Sequence, residues 1–199
     1  MIEGVILASA SPARTRLLAA AGVAFRAVPA EIDEDAVKRV FRAGNRSAMD
    51  CALALAEGKA CRVAKDRDGD LVIGADQILA CGEAWFDKPS DLAGARAQLQ
   101  MLRGRAHELV TAACVVRHRE RLWHGVSRAT LTMRQFSDDF LDEYLRDEGT
   151  ALLGSVGAYR LEGKGAQLFE RIEGDYFTIL GLPLLELLGF LRASGVVRS

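Results

Sequence analysis

The stretch that most constrains this chain is residues 71–89, LVIGADQILACGEAWFDKP, an apolar run broken by a single carboxylate at Asp76. It opens with Leu71-Val72-Ile73, passes Gly74, resumes after Asp76 as Ile78-Leu79, and turns at Gly82 toward Asp87-Lys88-Pro89. A buried strand rarely tolerates a lone acid. An ionised carboxylate taken out of water needs a cation, a metal or an open cleft beside it. Asp76 is therefore the first candidate for chemistry, and the alternative is a carboxylate that caps a strand end or turn.

Upstream, Gly4-Val5-Ile6-Leu7-Ala8 is a short apolar run suited to a buried first strand. Ser11-Pro12 then reads as an N-cap with proline at the first helical position, and Leu17, Leu18 and Ala21 supply an apolar face that ends at Gly22. The group Ser9-Ala10-Ser11-Pro12-Ala13-Arg14 thus sits where a strand hands over to a helix N-terminus. Free backbone N–H groups and the helix dipole favour an anion there, and the two hydroxyls with Arg14 add donors suited to phosphate. The alternative is an ordinary capped helix with a solvent-facing arginine.

Residues 25–29 alternate as a second strand and lead into Glu31-Ile32-Asp33-Glu34-Asp35. Such a run is usually a solvated loop, and it is also what a Mg²⁺ or Mn²⁺ site draws on. Between 47 and 65, Met49, Leu53, Ala56, Ala60 and Val63 recur at helical spacing, with Lys59 on the surface by the ordinary preference of lysine. Residues 66–70 are a charged loop, and Ser90-Asp91 caps a helix that stops at Gly104. Residues 107–117 and 122–133 form a hairpin about the link His118-Arg119-Glu120-Arg121. Ser137-Asp138-Asp139 starts another amphipathic helix, closed by Gly149. The dense glycines 154, 157, 163, 165 and 174 punctuate two short strands around Tyr159 and Leu168-Phe169, and Gly181-Leu182-Pro183 precedes a final helix of leucines.

Composition narrows the function class. The chain has 199 residues, half of them hydrophobic, so it can bury a full core and is expected to fold alone as a single domain over 1–199. A net charge of −1 with scattered Lys and Arg gives no basic stripe, so neither nucleic acid nor a membrane surface is an expected partner. Cys51, Cys61, Cys81 and Cys114 form no CxxC pair and are expected to be reduced. With no leader pattern and no apolar run of bilayer length, the expectation is a cytoplasmic protein.

Taken together these pieces resemble the Maf family of nucleotide pyrophosphatases over nearly the whole chain. The resemblance is carried by Leu7-Ala8-Ser9-Ala10-Ser11-Pro12 with Arg14, Asp33-Glu34, residues 56–60 with Lys59, and Gly74-Ala75-Asp76 with Lys88-Pro89. It continues through residues 102–107, Gly157-Ala158-Tyr159, Glu173-Gly174-Asp175-Tyr176 and Gly181-Leu182-Pro183-Leu184. It implies an α/β fold with a mixed extended sheet, flanking helices and two lobes around a deep cleft, similar to inosine triphosphatase. It also implies a homodimer that cleaves nucleoside triphosphates to monophosphate and pyrophosphate with Mg²⁺ or Mn²⁺. By the same resemblance Asp76 is the general base or the ligand of the activating metal, and Glu34 is a metal or water partner. Arg14, Lys59 and Lys88 hold the phosphates, and Ser9 and Ser11 donate to them.

Three positions bear on the base. Gln77 after Asp76, and Glu162 ahead of Gly163, with Leu168-Phe169-Glu170-Arg171 beyond, are similar to the branch acting on 7-methyl-GTP rather than the dTTP/UTP branch. Glu162 is apt as an acceptor for guanine N1–H and the 2-amino group. That branch commonly has a stacking aromatic where this chain has Ala13, which leaves base recognition looser or moves the stacking to Trp85 or Phe86. The expected substrate is 7-methyl-GTP or another modified nucleotide, with dTTP or UTP as the alternative. A nucleotide-binding regulator that does not hydrolyse is the reading from another class; it would not need the carboxylates Glu34 and Asp76.

Overall fold

The computed structural model describes residues 2–67 and 69–198, so Asp68 of the charged loop lies outside the described residues. Helix starts follow local chemistry. Ser11 caps α1 (Pro12–Ala20), Ser47 caps α3 (Ala48–Ala64), Asp91 caps α4 (Leu92–Leu102) and Ser137 caps α5 (Asp138–Glu148), each accepting a backbone N–H three residues on. The last helix, α7 (Leu184–Ala193), follows Pro183.

Seven strands form one mixed sheet in the order β2-β1-β3-β5-β6-β7, with β4 on β3. They are β1 (Val5–Leu7), β2 (Arg26–Ala27), β3 (Leu71–Cys81), β4 (Ala84–Phe86), β5 (Ala106–Arg117), β6 (Glu120–Met133) and β7 (Phe169–Glu173). β1 is parallel to β2 and to β3, whereas β4 and β7 pair antiparallel with their neighbours. The mixed sheet with flanking helices agrees with the expected class.

The chain divides into two compact units: residues 1–77, 110–127 and 176–199 make the first, and 78–109 with 128–175 the second. In the first unit the two faces of β3 have different fates, as period-two alternation requires. Leu71, Ile73 and Ala75 join a core with Leu17 and Leu18 of α1 and Leu184, Leu187 and Leu191 of α7. Gly74 and Asp76 face α3. There Gly74 is obligatory, since a Cβ would lie 2.0 Å from the Ala56 carbonyl and 2.9 Å from the Ala60 Cβ.

In the second unit, buried His107 meets the Tyr159 hydroxyl at 2.9 Å, and the Tyr159 ring stands edge-on to Phe169 at 4.9 Å. Trp85 is half-buried and Phe86 is buried in β4, so Phe86 is not open to stack on a base.

Several expectations need correction. The segment around Tyr159 is not a strand: 3₁₀ turns cover 149–154, 156–158 and 164–168, and although Tyr159 itself is extended, Gly157 and Ala158 before it take φ of 77° and 56°, which breaks an extended run. The hairpin link is only His118-Arg119, both at positive φ as a two-residue primed turn requires. The acidic run is only partly a loop: Asp33 accepts from Ala36 N at 2.8 Å and starts α2 (Glu34–Ala43), a helix that the acids had hidden. The one-turn helix α6 (Tyr176–Ile179) was not anticipated either.

Candidate active site

β1 ends at Leu7, whose partner in β3 is Ile73, and β3 runs on past it. Asp76 therefore lies midway along β3 but beyond the carboxyl end of β1, the side of the parallel strands on which open α/β sheets place ligands. It is 4% exposed. The cation that burial demands is Lys59, whose Nζ stands 2.5 Å from Asp76 Oδ1 and 2.7 Å from Glu34 Oε1. Lys59 is only 7% exposed, so its expected surface position is wrong. The close approach of α3 to β3 over Gly74 brings it there, one residue from Ala60, and α2 supplies Glu34 from its first turn. Three elements thus gather two carboxylates around one ammonium.

Arg14 is equally enclosed, at 9% exposure. Its Nε donates to the Gly181 carbonyl at 2.9 Å, and its Nη1 donates to the Ala75 carbonyl at 3.0 Å and to Ser9 Oγ at 3.3 Å. Burial lowers its pKa, and the negative charges of Asp76 and Glu34 oppose that shift. It is therefore no solvent-facing arginine. Ser9 Oγ also accepts from Ser11 N at 3.1 Å, and Ser11 Oγ accepts from Arg14 N at 3.5 Å, which leaves each hydroxyl its own proton to donate. Ala13 lies half-buried on the first turn of α1.

Gln77 is anchored through its side-chain amide. Its Nε2 donates to Thr111 Oγ1 at 2.8 Å and to the carbonyls of Thr178 at 3.0 Å and Ile179 at 3.1 Å. Thr111, fully buried, in turn donates to the Thr178 carbonyl at 2.9 Å. Sequence reasoning missed Thr111 and Thr178; the available signal was one hydroxyl inside the apolar run of β5.

Lys88 and Glu162 belong to the second unit. Lys88 is exposed between β4 and α4. Glu162 lies 3.8 Å from Arg160 Nε, and Arg160 also reaches Glu148 at 3.5 Å.

The pair Asp76 and Glu34 fits a hard divalent cation on two grounds. Asp76 Oδ2 is buried and takes no hydrogen bond from the chain, and both carboxylates already converge on a single positive charge. Two carboxylates are the share that a protein commonly gives a Mg²⁺ whose remaining ligands are phosphate oxygens and water.

Comparison with known proteins follows the same line. The family model described as Maf-like protein matches residues 4–194. A nucleoside triphosphate pyrophosphatase of Granulibacter bethesdensis is 57% identical over 188 residues, covering 94% of this chain and 95% of that protein. One of Rhodospirillum rubrum is 50% identical over 199 residues, 100% of this chain and 98% of its own. A 7-methyl-GTP pyrophosphatase of Mesorhizobium japonicum is 49% identical over 197 residues, 99% of each chain. A phosphate-suited turn, a buried carboxylate in the middle of β3 just past the end of β1, and a match from residue 4 to residue 194 have one common explanation: this chain belongs to the Maf family.

Proposed function

We propose that the protein hydrolyses the α–β phosphoanhydride of a nucleoside triphosphate, giving the monophosphate and pyrophosphate. The observation that carries this is the bridge of Lys59 between Asp76 and Glu34, which concentrates two carboxylates and a cation just past the carboxyl end of β1, beside a helix start rich in donors. The relatives bearing the name nucleoside triphosphate pyrophosphatase support the reaction class. Asp76 and Glu34 would hold Mg²⁺ or Mn²⁺, which supplies charge neutralisation on the phosphates.

In the reaction water attacks the α-phosphorus, the bond to the bridging oxygen breaks, and pyrophosphate departs. The proton of that water passes to Asp76, whose Oδ2 no donor of the chain engages, where this carboxylate acts as the base, or to solvent where it serves the cation instead. Substrate phosphate offers Lys59 another anionic partner, and its charge then offsets the negative charge building on the leaving group. The hydroxyls of Ser9 and Ser11 donate to phosphate oxygens at the start of α1. For Lys88 as a phosphate ligand, Glu162 as the acceptor for a guanine edge, and a homodimer as the working form, the support is the family resemblance. 7-Methyl-GTP is the preferred substrate on this reading, and the Mesorhizobium japonicum relative supports it by name.

The test is pyrophosphate release over a nucleotide panel with wild type and Asp76→Asn. Wild type should cleave 7-methyl-GTP ahead of dTTP and UTP, and Asp76→Asn should lower turnover by on the order of 10² or more without unfolding. A folded Asp76→Asn protein with near-normal turnover removes Asp76 from the chemistry. A panel led by dTTP or UTP reassigns the substrate and leaves the reaction type intact.

A further inference from the structure

Within the second unit, α5 ends on two acids, Asp147 and Glu148, although the carboxyl end of a helix is the end whose dipole opposes negative charge. Two cations of one turn answer them. Lys164 Nζ pairs with Asp147, and Arg160 Nη1 stands 3.5 Å from Glu148 Oε2. Glu148 does more than meet a charge: its side chain is only 11% exposed, and its Oε1 accepts from the main-chain N of Lys164 at 3.2 Å. One carboxylate thus grips the turn 160–164 at both ends, through the Arg160 side chain and the Lys164 backbone.

The turn is tight on its own account. Gly163 N donates to the Arg160 carbonyl at 3.2 Å, and Ala166 N donates to the Gly163 carbonyl at 3.2 Å. A Cβ on Gly165 would lie 2.4 Å from the Arg160 carbonyl, and one on Gly163 would lie 3.2 Å from Glu148 Oε1, so the backbone folds closely on itself and onto the end of α5. Just before the turn, Tyr159 is fixed by its contact with buried His107. Glu162 belongs to this turn, and its Oε1 stands 3.8 Å from Arg160 Nε. Arg160 is therefore shared by two carboxylates, one from the helix end and one from the turn itself.

We infer that Glu148 and Arg160 are positioning residues for the choice of base: Glu148 anchors the turn 160–164, and Arg160, held by Glu148, fixes the direction in which Glu162 presents its carboxylate to a guanine edge. The inference rests on the pyrophosphatase reading and on Glu162 as the base acceptor, while the anchor itself stands on the contacts of α5 with the turn. A glutamate on a glycine-rich turn has several rotamers, and ordering it beforehand removes that cost from substrate binding. The base is remote from the reacting phosphorus, so its interactions count alike in ground and transition states and their loss is read in KM.

The experiment measures pyrophosphate release from 7-methyl-GTP and dTTP by wild type, Glu148→Ala, Glu148→Gln, Arg160→Met, Glu162→Gln and the double variant Glu148→Ala/Glu162→Gln. Glu148→Ala should raise KM for 7-methyl-GTP about 5- to 20-fold, with its kcat and both constants for dTTP within about twofold. Glu148→Gln, which keeps an acceptor for Lys164 N, should lose less. Arg160→Met, which keeps the stem and removes the guanidinium, should raise the same KM; a lowered KM would mean that Arg160 competes with the base, and overturns its part. Because Glu148 acts through Glu162, the double variant should be no worse on 7-methyl-GTP than Glu162→Gln alone. Amide exchange at Gly163 and Lys164 should quicken in Glu148→Ala and stay as in wild type in Glu162→Gln. Losses that multiply in the double variant, or an equal loss on dTTP, overturn the proposal and leave Glu148 a purely structural residue. Unchanged exchange at Lys164 in Glu148→Ala defeats the anchor itself. A nucleotide preference that survives Glu162→Gln removes Glu162 from base reading, and a wild type that cleaves no nucleotide removes the pyrophosphatase reading; either takes away the role assigned to Glu148 and Arg160, even where exchange responds. Should Glu148→Ala not fold, Glu148→Gln carries the same cycle with Glu162→Gln.

Discussion

Lysine is among the residues most often left in water, yet Lys59 is buried because two carboxylates meet its ammonium. The need for a cation was readable from Asp76 alone, since a lone acid in an apolar run has few other remedies. The identity of that cation was not, because Lys59 stands 17 residues away on another element. His107 is the second residue whose burial has a measurable consequence. Desolvation holds its pKa at about 4, below the ordinary 6.5. Between those values the unfolded chain binds a proton that the native chain refuses, so this contribution to stability is present above pH 6.5 and is lost as pH falls toward 4. The expected loss is roughly 3 kcal/mol across that window, at about 1.4 kcal/mol per unit. Urea unfolding of wild type and His107→Gln at intervals from pH 7 to 4 measures it, and the variant should lose less stability over the range. Parallel curves for the two proteins would show that His107 does not carry the dependence.

At the scale of elements, close approach decides geometry. Gly74 lets α3 settle onto β3, and the same contact delivers Lys59 to Asp76. Gly74→Ala should cost about 1–3 kcal/mol by overpacking against the Ala56 carbonyl, and should lower turnover as well by moving Lys59 off the carboxylates. Chemical denaturation with a paired activity assay checks both effects, and an alanine variant of wild-type stability would mean that the helix yields at no cost. Helix starts and the hairpin were legible because their signals are local, as with Ser11, Ser47 and Ser137 one residue before the first turn. α2 was hidden since acids read equally as loop, metal site and favourable first turn. The turns around Tyr159 were hidden because Ala158 takes a left-handed backbone that nothing in an alanine announces.

For the whole molecule, the two compact units draw on a shared set of strands, and no helix among the described residues is long and apolar enough to cross a membrane. All four cysteines are free, in keeping with the expectation from their spacing. The metal expectation is tested at this scale. Chelation should abolish turnover while Tm moves by less than about 3 °C, because Lys59 already bridges Asp76 and Glu34 within the chain and offsets one of their two charges, so the cation is not needed to hold the fold. Thermal unfolding with and without a chelator, alongside pyrophosphate release, decides the matter; a fall in Tm above about 5 °C would make the cation part of the fold.

What this sequence determined by itself is what neighbouring residues can signal: strand and helix periods, side-chain caps, the helix start at Ser11, the demand of Asp76 for a counter-charge, and the motifs that mark the Maf family. What only the tertiary structure decided is where long side chains spend their donors. Arg14 meets Ala75 across 61 residues and Gly181 across 167, and Gln77 meets Thr178 across 101. In sequence Arg14 read as a phosphate ligand or a solvent-facing side chain, and Gln77 as part of the base pocket; neither reading showed these main-chain partners. Those partners depend on strand ends and turns that only the tertiary structure brings together, where burial makes satisfying main-chain carbonyls a strong demand.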